Sequence, residues 1–199
     1  MLEKSTIQRV EETTERFAHA LRGRLVQPDD SDYDDVRTIY NGMIDKHPRW
    51  IARCADVADV IAAVEFGREG NLETAVRSGG HNGPGLALVD DGLVIDLSRM
   101  KGIRVDPDAE TVRAEAGCRW GDVDHATHAF GMATVSGIIS NTGVAGLTLG
   151  GGHGYLTRKY GLTIDNLLAA DVVLADGRLV HASEYENADL FWALRGGGG

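Results

Sequence analysis

The stretch of chain that most constrains the fold is residues 143–154, called the glycine segment, in which six of the twelve residues are glycine. Each glycine inside a regular helix or strand costs about 0.5–1 kcal/mol relative to alanine. The segment is therefore predicted to be irregular backbone. It also carries Val144, Leu147 and Leu149, whereas flexible linkers are usually polar and rich in serine. We favour backbone that lies against a flat cofactor and its pyrophosphate, and the alternative is a flexible surface linker.

A second glycine-rich stretch, residues 77–82 with the sequence Arg-Ser-Gly-Gly-His-Asn, is called the histidine loop. It follows a short apolar run that is predicted to be a strand. A turn of bare backbone after a strand can direct several N–H groups at an anion. His81 at the end of the turn is then placed beside a cofactor ring, and the alternative interpretation is a solvated loop histidine. Neither stretch matches the dinucleotide fingerprint or the phosphate loop of nucleotide-hydrolysing enzymes.

Composition excludes several classes of function. The net charge of -10 over 199 residues argues against nucleic-acid binding, which needs clustered Lys and Arg. No apolar run approaches the length of a membrane span. Cys54 and Cys118 lack metal-binding spacing and are predicted to be free thiols of a cytoplasmic protein. The polar residues 122–128 are predicted to be a solvated helix face, so no metal site is expected.

Periodicity and turn signals predict the order of the elements. Ile7, Val10, Phe17 and Leu21 recur at near-helical spacing and predict a helix over 4–22. Gly23 and the acidic stretch 29–32 are predicted to be loop. The other predicted elements are strands over 50–54, 73–77, 93–97 and 111–115, helices over 56–70, 120–130 and 189–195, and a hairpin of 170–175 with 178–181 around Asp176-Gly177. The early strand–helix–strand order predicts a small parallel sheet, and the later strands predict an antiparallel one.

Five motifs occur in order along the chain. They are residues 77–82, 150–155 (Gly-Gly-Gly-His-Gly-Tyr), 160–166 (Tyr-Gly-Leu-Thr-Ile-Asp-Asn), 175–177 (Ala-Asp-Gly) and 190–199 (Leu-Phe-Trp-Ala-Leu-Arg and four glycines). Together they resemble the FAD-linked oxidases of the vanillyl-alcohol-oxidase type. Within that superfamily the chain is most similar to the berberine-bridge-enzyme-like (BBE-like) and 6-hydroxynicotine-oxidase-like branch, over roughly residues 45–199.

The resemblance implies an α+β fold, the PCMH-type FAD-binding domain. Two α+β subdomains, divided near residue 79, would hold FAD between them over residues 45–199, after an N-terminal helical extension of residues 1–44. The family usually adds a substrate domain and the catalytic base after this region. No catalytic residue is therefore assigned, and the substrate domain is expected to be absent from these residues.

The resemblance also implies the contacts of the cofactor. Backbone N–H groups of the histidine loop would bind the FAD pyrophosphate, and His81 would bond to the 8α-methyl carbon of the flavin. The cysteine that makes a second flavin bond in many relatives is replaced by Ile139, so a single histidyl bond is expected. The implied cofactor-binding residues are Arg77, Ser78, Gly79, Gly80, His81, Asn82, Ser136, Gly137, Ser140, Gly143, Gly146, Leu147, Gly150, Gly151, Gly152, Tyr155 and Asn166.

The implied activity is that of an FAD-dependent oxidoreductase, and within that class an oxidase. It would take a hydride from an alcohol, sugar or amine C–H bond. The implied partners are a small-molecule substrate and molecular oxygen or another electron acceptor, and an oligomer is allowed. Thr142 lies where the resemblance places an oxygen-gating side chain. The alternative is a flavin-binding module that performs no chemistry by itself.

Overall fold

The computed structural model describes residues 4–196, with side chains from residue 10 onward. The elements are α1 Lys4–Ala20, β1 Arg24–Val26, α2 Tyr33–Arg37, β2 Trp50–Arg53, α3 Val57–Glu69, β3 Thr74–Arg77, β4 Leu93–Asp96, β5 Ile103–Asp106, β6 Thr111–Ala114, α4 Trp120–His128, α5 Val144–Leu149, α6 Thr157–Tyr160, a 3-10 helix Thr163–Asn166, β7 Ala169–Val173, β8 Leu179–Ser183 and α7 Ala188–Leu194. The side chain of Ile7 and the last three glycines, 197–199, lie outside the described residues.

The first sheet contains the strands in the order β1-β2-β4-β3. β2 and β3 both run parallel to β4, whereas β1 pairs antiparallel with β2. Every residue of β4 is buried, as expected for a strand that is covered on both faces. The predicted small parallel sheet is confirmed. The edge strand β1 was not predicted, because it is three residues long and lies between two stretches predicted to be loop.

Helices α1 and α3 cover one face of this sheet. The ring of Phe17 stacks on that of Phe66 with centroids 4.2 Å apart, and Phe66 contacts the edge of Trp50 at 5.5 Å. The carboxylate of Asp56 accepts hydrogen bonds from the first backbone N–H groups of α3, and Gly70 follows its last residue. These are the start and stop signals from which the helix was predicted.

Asp96 joins the carboxyl ends of three parallel strands. It is in register with Arg53 on β2 and with Arg77 on β3, and it is 1% exposed. Its Oδ2 accepts a hydrogen bond from Nη2 of Arg77 at 2.8 Å and lies 3.5 Å from Nε of Arg53. Its Oδ1 accepts a hydrogen bond from the backbone N–H of Ser98 at 2.9 Å. This arrangement fixes the residue from which the histidine loop starts.

The later strands form two antiparallel hairpins, β5 with β6 and β7 with β8. The prediction that the later strands pair antiparallel is confirmed. Gly177 in the second hairpin has a φ of +87°, which glycine adopts without a steric penalty. Nη1 of Arg68, on α3, donates a hydrogen bond to the Asp176 carbonyl oxygen at 2.7 Å. This bond connects the second hairpin to the first part of the fold.

The glycine segment differs from its prediction, since it is not irregular throughout. Its first half is the helix α5, with Gly143 at the N-cap position and Gly150 at the C-cap position. Glycine is well tolerated at both positions, and only Gly146 lies inside the helix. Residues 151–154 are outside regular structure. The prediction was wrong for residues 144–149 because it counted glycines without asking where the helix ends fall.

The boundary between the two subdomains was predicted near residue 79. β4 lies between β2 and β3, so the first sheet continues beyond that residue. We therefore propose that the division falls after Asp96, where the first sheet ends and the two hairpins follow.

No helix within residues 4–196 is long and apolar enough to cross a membrane. The same part of the chain contains no group of three or more His, Cys, Asp or Glu side chains that could hold a metal ion. Asp124, His125 and His128 of α4 border a cavity of about 380 Å³ together with Met132.

Both cysteines are free and buried, as the prediction of free thiols required. Burial, together with the smaller effect of the nearby carboxylates of Asp59 and Asp96, raises the pKa of the Cys54 thiol from 9.0 to about 12. Burial also raises the pKa of Cys118. Both groups are therefore held as neutral thiols, which are poor nucleophiles.

We expect Asp96→Ala to lower the free energy of unfolding by about 3–5 kcal/mol, because it leaves the buried guanidinium of Arg77 without its carboxylate. Chemical denaturation measures this value. The control is Asp34→Asn, which removes an exposed ion pair with Arg37 and should change stability by less than about 0.5 kcal/mol. Equal effects of the two substitutions would contradict the role assigned to Asp96.

We expect neither thiol to react with a disulfide reagent at pH 8 in the native protein, and both to react after denaturation. Above the unfolded pKa of about 8.5, the unfolded state releases thiol protons that the folded state keeps. The contribution of Cys54 to stability is thus complete below that pH and is lost as the pH rises toward about 12. Rapid labelling of Cys54 in the native protein would contradict this prediction.

Candidate cofactor site

A cavity of about 540 Å³, called the loop cavity, lies where β2, β3 and β4 end. Arg53, Arg77 and Asp96 are the last residues of these strands and line it. The rest of its wall includes the histidine loop from Ser78 to His81 and parts of residues 32–40, with Ser98, Arg119 and Asn141. Ligands of open parallel sheets bind in such crevices beyond the carboxyl ends of the strands.

The histidine loop and the start of the glycine segment touch each other through two glycines. A Cβ on Gly79 would lie 2.5 Å from the Cα of Gly143, and a Cβ on Gly143 would lie 2.7 Å from the Cα of Gly79. No residue with a side chain fits at either position unless the backbone moves. The two stretches, more than 60 residues apart in sequence, therefore meet at one place in the fold.

The backbone N–H groups of the histidine loop are free to bind a ligand. Among the described residues, those of Ser78, Gly79, Gly80, His81 and Asn82 donate to no protein acceptor. Gly80 has a φ of +69°, in the left-handed region. Where a right-handed residue is followed by a left-handed one in a turn, successive N–H groups point toward one anion. The free donors and the close glycine contact fit a phosphate-bearing ligand that approaches bare backbone.

Residues 38–44 hold the outer side of the histidine loop. The backbone N–H of Tyr40 donates to the Gly80 carbonyl oxygen at 3.1 Å, and Nδ2 of Asn41 donates to that of Gly83 at 3.0 Å. The hydroxyl of Ser78 donates to the Ala116 carbonyl oxygen on the opposite side. The loop is thus supported by two distant parts of the chain, through three hydrogen bonds that do not use its own N–H groups.

His81 is half-buried between two side chains. Its ring stacks on that of Tyr40, with centroids 4.6 Å apart and an interplanar angle of 19°. Its Nε2 lies 3.0 Å from Oδ1 and 3.2 Å from the backbone oxygen of Asn141. The imidazole is therefore held in a defined orientation at the wall of the loop cavity.

Two arginines of the loop cavity play different parts. The guanidinium of Arg77 is buried, bonded to Asp96 and to the Val36 carbonyl oxygen at 2.7 Å. Arg77 supports the histidine loop, because both of its Nη atoms are bonded to oxygens of the protein. Its contact with the cofactor stays a prediction. Arg53, in contrast, has a buried Nε without a hydrogen-bond partner among the described residues. Its ion pair with Asp96, 3.5 Å from Nε to Oδ2, and the carboxylates of Asp32 and Asp35 in the same wall offset the positive charge of Arg53.

The second half of the glycine segment turns through backbone that favours glycine. Gly151 and Gly152 have φ values of +109° and +74°. Their carbonyl oxygens accept hydrogen bonds from the N–H groups of Ile164 and Thr163, at 2.9 and 3.0 Å. A Cβ on Gly152 would collide with Thr163, whereas the nearest atom to one on Gly151 would be 3.8 Å away. Gly151 therefore has open space beside it.

The remaining predicted residues do not line the loop cavity. The side chain of Leu147 packs against the cluster of Cys118, Trp120 and Val123. Nδ2 of Asn166 donates to the carbonyl oxygens of Tyr160 and Leu162. Ser136 lies beside Gly154, and Gly137 lies beside Leu147. The carbonyl oxygen of Ser140 accepts a hydrogen bond from the Gly121 N–H, and Tyr155 is 82% exposed. The other predicted residues outside the cavity wall are Gly146 and Gly150.

Tyr40, Asn141 and Arg53 were missed by sequence reasoning. Tyr40 lies in a stretch without a motif, and nothing in its sequence neighbourhood indicates the contact with His81. Asn141 stands between two predicted residues, Ser140 and Gly143, which is the only signal that pointed to it. Arg53 could have been found, because a charged residue at the end of a buried strand usually has a partner.

Comparison with known proteins identifies the family. The family described as FAD binding domain matches residues 48–183. (R)-6-hydroxynicotine oxidase of Paenarthrobacter nicotinovorans is 41% identical over 179 residues, which are 90% of this chain and 39% of that protein. The chain thus spans about two fifths of the length of this relative.

Solved structures agree in fold. BBE-like 1 of Physcomitrella patens superposes with a TM-score of 0.87 at 31% identity, over 92% of this chain and 40% of that one. The glucooligosaccharide oxidase of Acremonium strictum, described with a 6-S-cysteinyl, 8α-N1-histidyl FAD, superposes with a TM-score of 0.87 at 37% identity, over 94% of this chain and 40% of that one.

The predicted resemblance to 6-hydroxynicotine oxidase and the BBE-like oxidases is confirmed, and so is the PCMH-type α+β fold. The free N–H groups of the histidine loop, its glycine contact with residue 143 and the match over residues 48–183 agree with one another. The chain belongs to the family of FAD binding domains.

Proposed function

We propose that the chain is the FAD-binding part of an oxidoreductase that takes a hydride from an alcohol, sugar or amine C–H bond. The observation that carries this proposal is the joined pair of glycine stretches, with five consecutive free N–H groups beside a histidine. Relatives named as nicotine and oligosaccharide oxidases support the reaction class. No residue is assigned as the catalytic base.

The residues of the loop cavity would hold the cofactor through its pyrophosphate. The N–H groups of residues 78–82 supply the hydrogen-bond donors, and no side-chain charge has to be desolvated for them. Hydrogen bonds from backbone N–H groups to an anion are roughly twice as strong as those between neutral groups. Gly151, with open space beside it, lets the glycine segment approach the same ligand.

His81 is the residue we assign to the covalent bond with the 8α carbon of the flavin. Bound FAD supplies the hydride acceptor, and the protein supplies orientation and electrostatics. The oxidase of Acremonium strictum carries histidyl and cysteinyl bonds. Here Ile139 stands at the position expected for the cysteine, four residues before Gly143, and both cysteines are buried elsewhere. A single histidyl bond follows.

The electron acceptor we propose is molecular oxygen, with Thr142 beside the path to the flavin. The two free buried thiols support a cytoplasmic location, where disulfides are rare. The second candidate function is a flavin-binding module without chemistry, which the lack of an assigned base favours. Anaerobic mixing of the flavin-loaded, full-length protein with alcohols, sugars and amines separates the two. Bleaching of the flavin absorbance by one substrate class supports the oxidoreductase, and no bleaching across the panel supports the module.

We expect Gly151→Val to weaken FAD binding at least tenfold, because a branched side chain in the ligand's space costs about 1–3 kcal/mol. Titration of FAD into the unloaded protein measures this affinity. Gly131→Val is the matched control, since Gly131 also has a positive φ, of +67°, and no atoms within 4 Å of an added Cβ. Both variants place a β-branched residue at a positive φ, so equal affinities would contradict the placement of FAD beside Gly151.

We expect His81→Ala to leave FAD dissociable by acid, while the parent protein keeps its flavin after precipitation. Mass spectrometry should find the flavin mass on the peptide with His81 and on no peptide with Cys54 or Cys118. His19→Ala, an exposed histidine of α1, should keep acid-stable flavin. Flavin on either cysteine, or acid-stable flavin in His81→Ala, would contradict the assignment.

A further inference from the structure

Asn141 contacts His81 through one ring nitrogen only. Both of its oxygens, the backbone oxygen and Oδ1, lie within 3.2 Å of Nε2. A backbone carbonyl oxygen can only accept a hydrogen bond, so Nε2 must carry the proton. In a neutral imidazole the other nitrogen, Nδ1, then has the free lone pair.

The ring is also held in its plane. Tyr40 stacks on one face of the imidazole at 4.6 Å, and its backbone N–H is bonded to Gly80, the residue before His81. Within the described residues, Nδ1 of His81 has no hydrogen-bond partner. The surroundings therefore leave one nitrogen occupied and one nitrogen available.

We propose that Asn141 is a positioning residue that keeps the proton of His81 on Nε2 and so makes Nδ1 the atom that bonds to the flavin. This inference rests on the proposed function, because it assigns the nitrogen and the orienting group for the His81 bond. Nothing in the motif that identifies His81 distinguishes its two nitrogens. The relative from Acremonium strictum carries its bond on N1, which is Nδ1, and the contact with Asn141 supplies a structural reason for the same nitrogen in this chain.

The chemistry of attachment needs this tautomer. The Nδ1–C8α bond replaces one C–H bond of the 8α-methyl group and the N–H bond of the imidazole. The two hydrogens, with their electrons, pass to dioxygen, which becomes hydrogen peroxide. As Nδ1 donates its lone pair, positive charge develops on the ring, and the two oxygens of Asn141 stabilise the Nε2–H that carries it.

The tautomer can be measured without FAD. The full-length protein is produced with ¹⁵N-labelled histidine under riboflavin starvation, and the nitrogen shifts of His81 are recorded above pH 8. We expect a protonated Nε2 and an unprotonated Nδ1. In Asn141→Ala the backbone oxygen remains as acceptor and only Oδ1 is lost, so the preference for the Nε2–H tautomer should weaken without being reversed. Tyr185→Ala, an exposed tyrosine away from His81, is the control and should leave the spectrum unchanged.

Attachment is then followed after FAD is added under air. We expect the flavin on Nδ1, as identified by ¹⁵N coupling in the isolated flavin peptide. Asn141→Ala should slow attachment about fivefold, the effect of one neutral hydrogen bond. Asn141→Asp keeps a side-chain oxygen that accepts from Nε2–H. Its carboxylate also stabilises the imidazolium, in which both nitrogens carry protons and Nδ1 has no lone pair for the flavin. Its rate profile should therefore shift to higher pH by about one unit or more, which a purely structural role for residue 141 does not predict.

An Nδ1–H tautomer in the unloaded protein, or flavin bonded to Nε2, overturns the role of Asn141 and leaves FAD binding intact. So does an Asn141→Asp variant with the pH profile of the parent protein. If the full-length protein binds no FAD at all, the proposed function fails, and the role assigned to Asn141 fails with it.

Discussion

The buried carboxylate of Asp96 is the interaction on which the site depends. It lies at the end of the central strand, in register with an arginine on each neighbouring strand. A carboxylate in such a place is stable only because Arg77 and the Ser98 N–H bond to it. Arg77 also binds the Val36 carbonyl oxygen, so one ionic cluster fixes the strand ends and the segment that leads to Tyr40. The histidine loop starts from this fixed point.

The second constraint is the absence of side chains at Gly79 and Gly143. Their contact lets two distant stretches of backbone meet, and it brings Asn141 next to His81. Because Tyr40, Asn41 and Ser78 support the loop through other groups, five successive N–H donors stay unpaired. The fold thus keeps a set of donors that a bound pyrophosphate would satisfy.

Sequence reasoning predicted most of the first sheet, because buried parallel strands are short apolar runs and α3 has clear caps at Asp56 and Gly70. It missed β1, which has three residues, and it was wrong about α5, because glycines at helix caps look the same in sequence as glycines in a loop. At the site, the motif identified His81 but not its neighbours. Tyr40 and Asn141 reach the histidine through tertiary contacts that no local pattern encodes, and neither does any local pattern indicate the bond of Arg77 to Asp96.

The central claim is that the free N–H groups of the histidine loop bind the pyrophosphate of FAD. The most direct measurement is a crystal structure of the full-length protein with FAD. The result we predict places phosphate oxygens within hydrogen-bond distance of the backbone nitrogens of residues 78–82, with Gly79 and Gly143 still in contact. A structure in which FAD is bound elsewhere, with these nitrogens exposed to solvent, would contradict the claim.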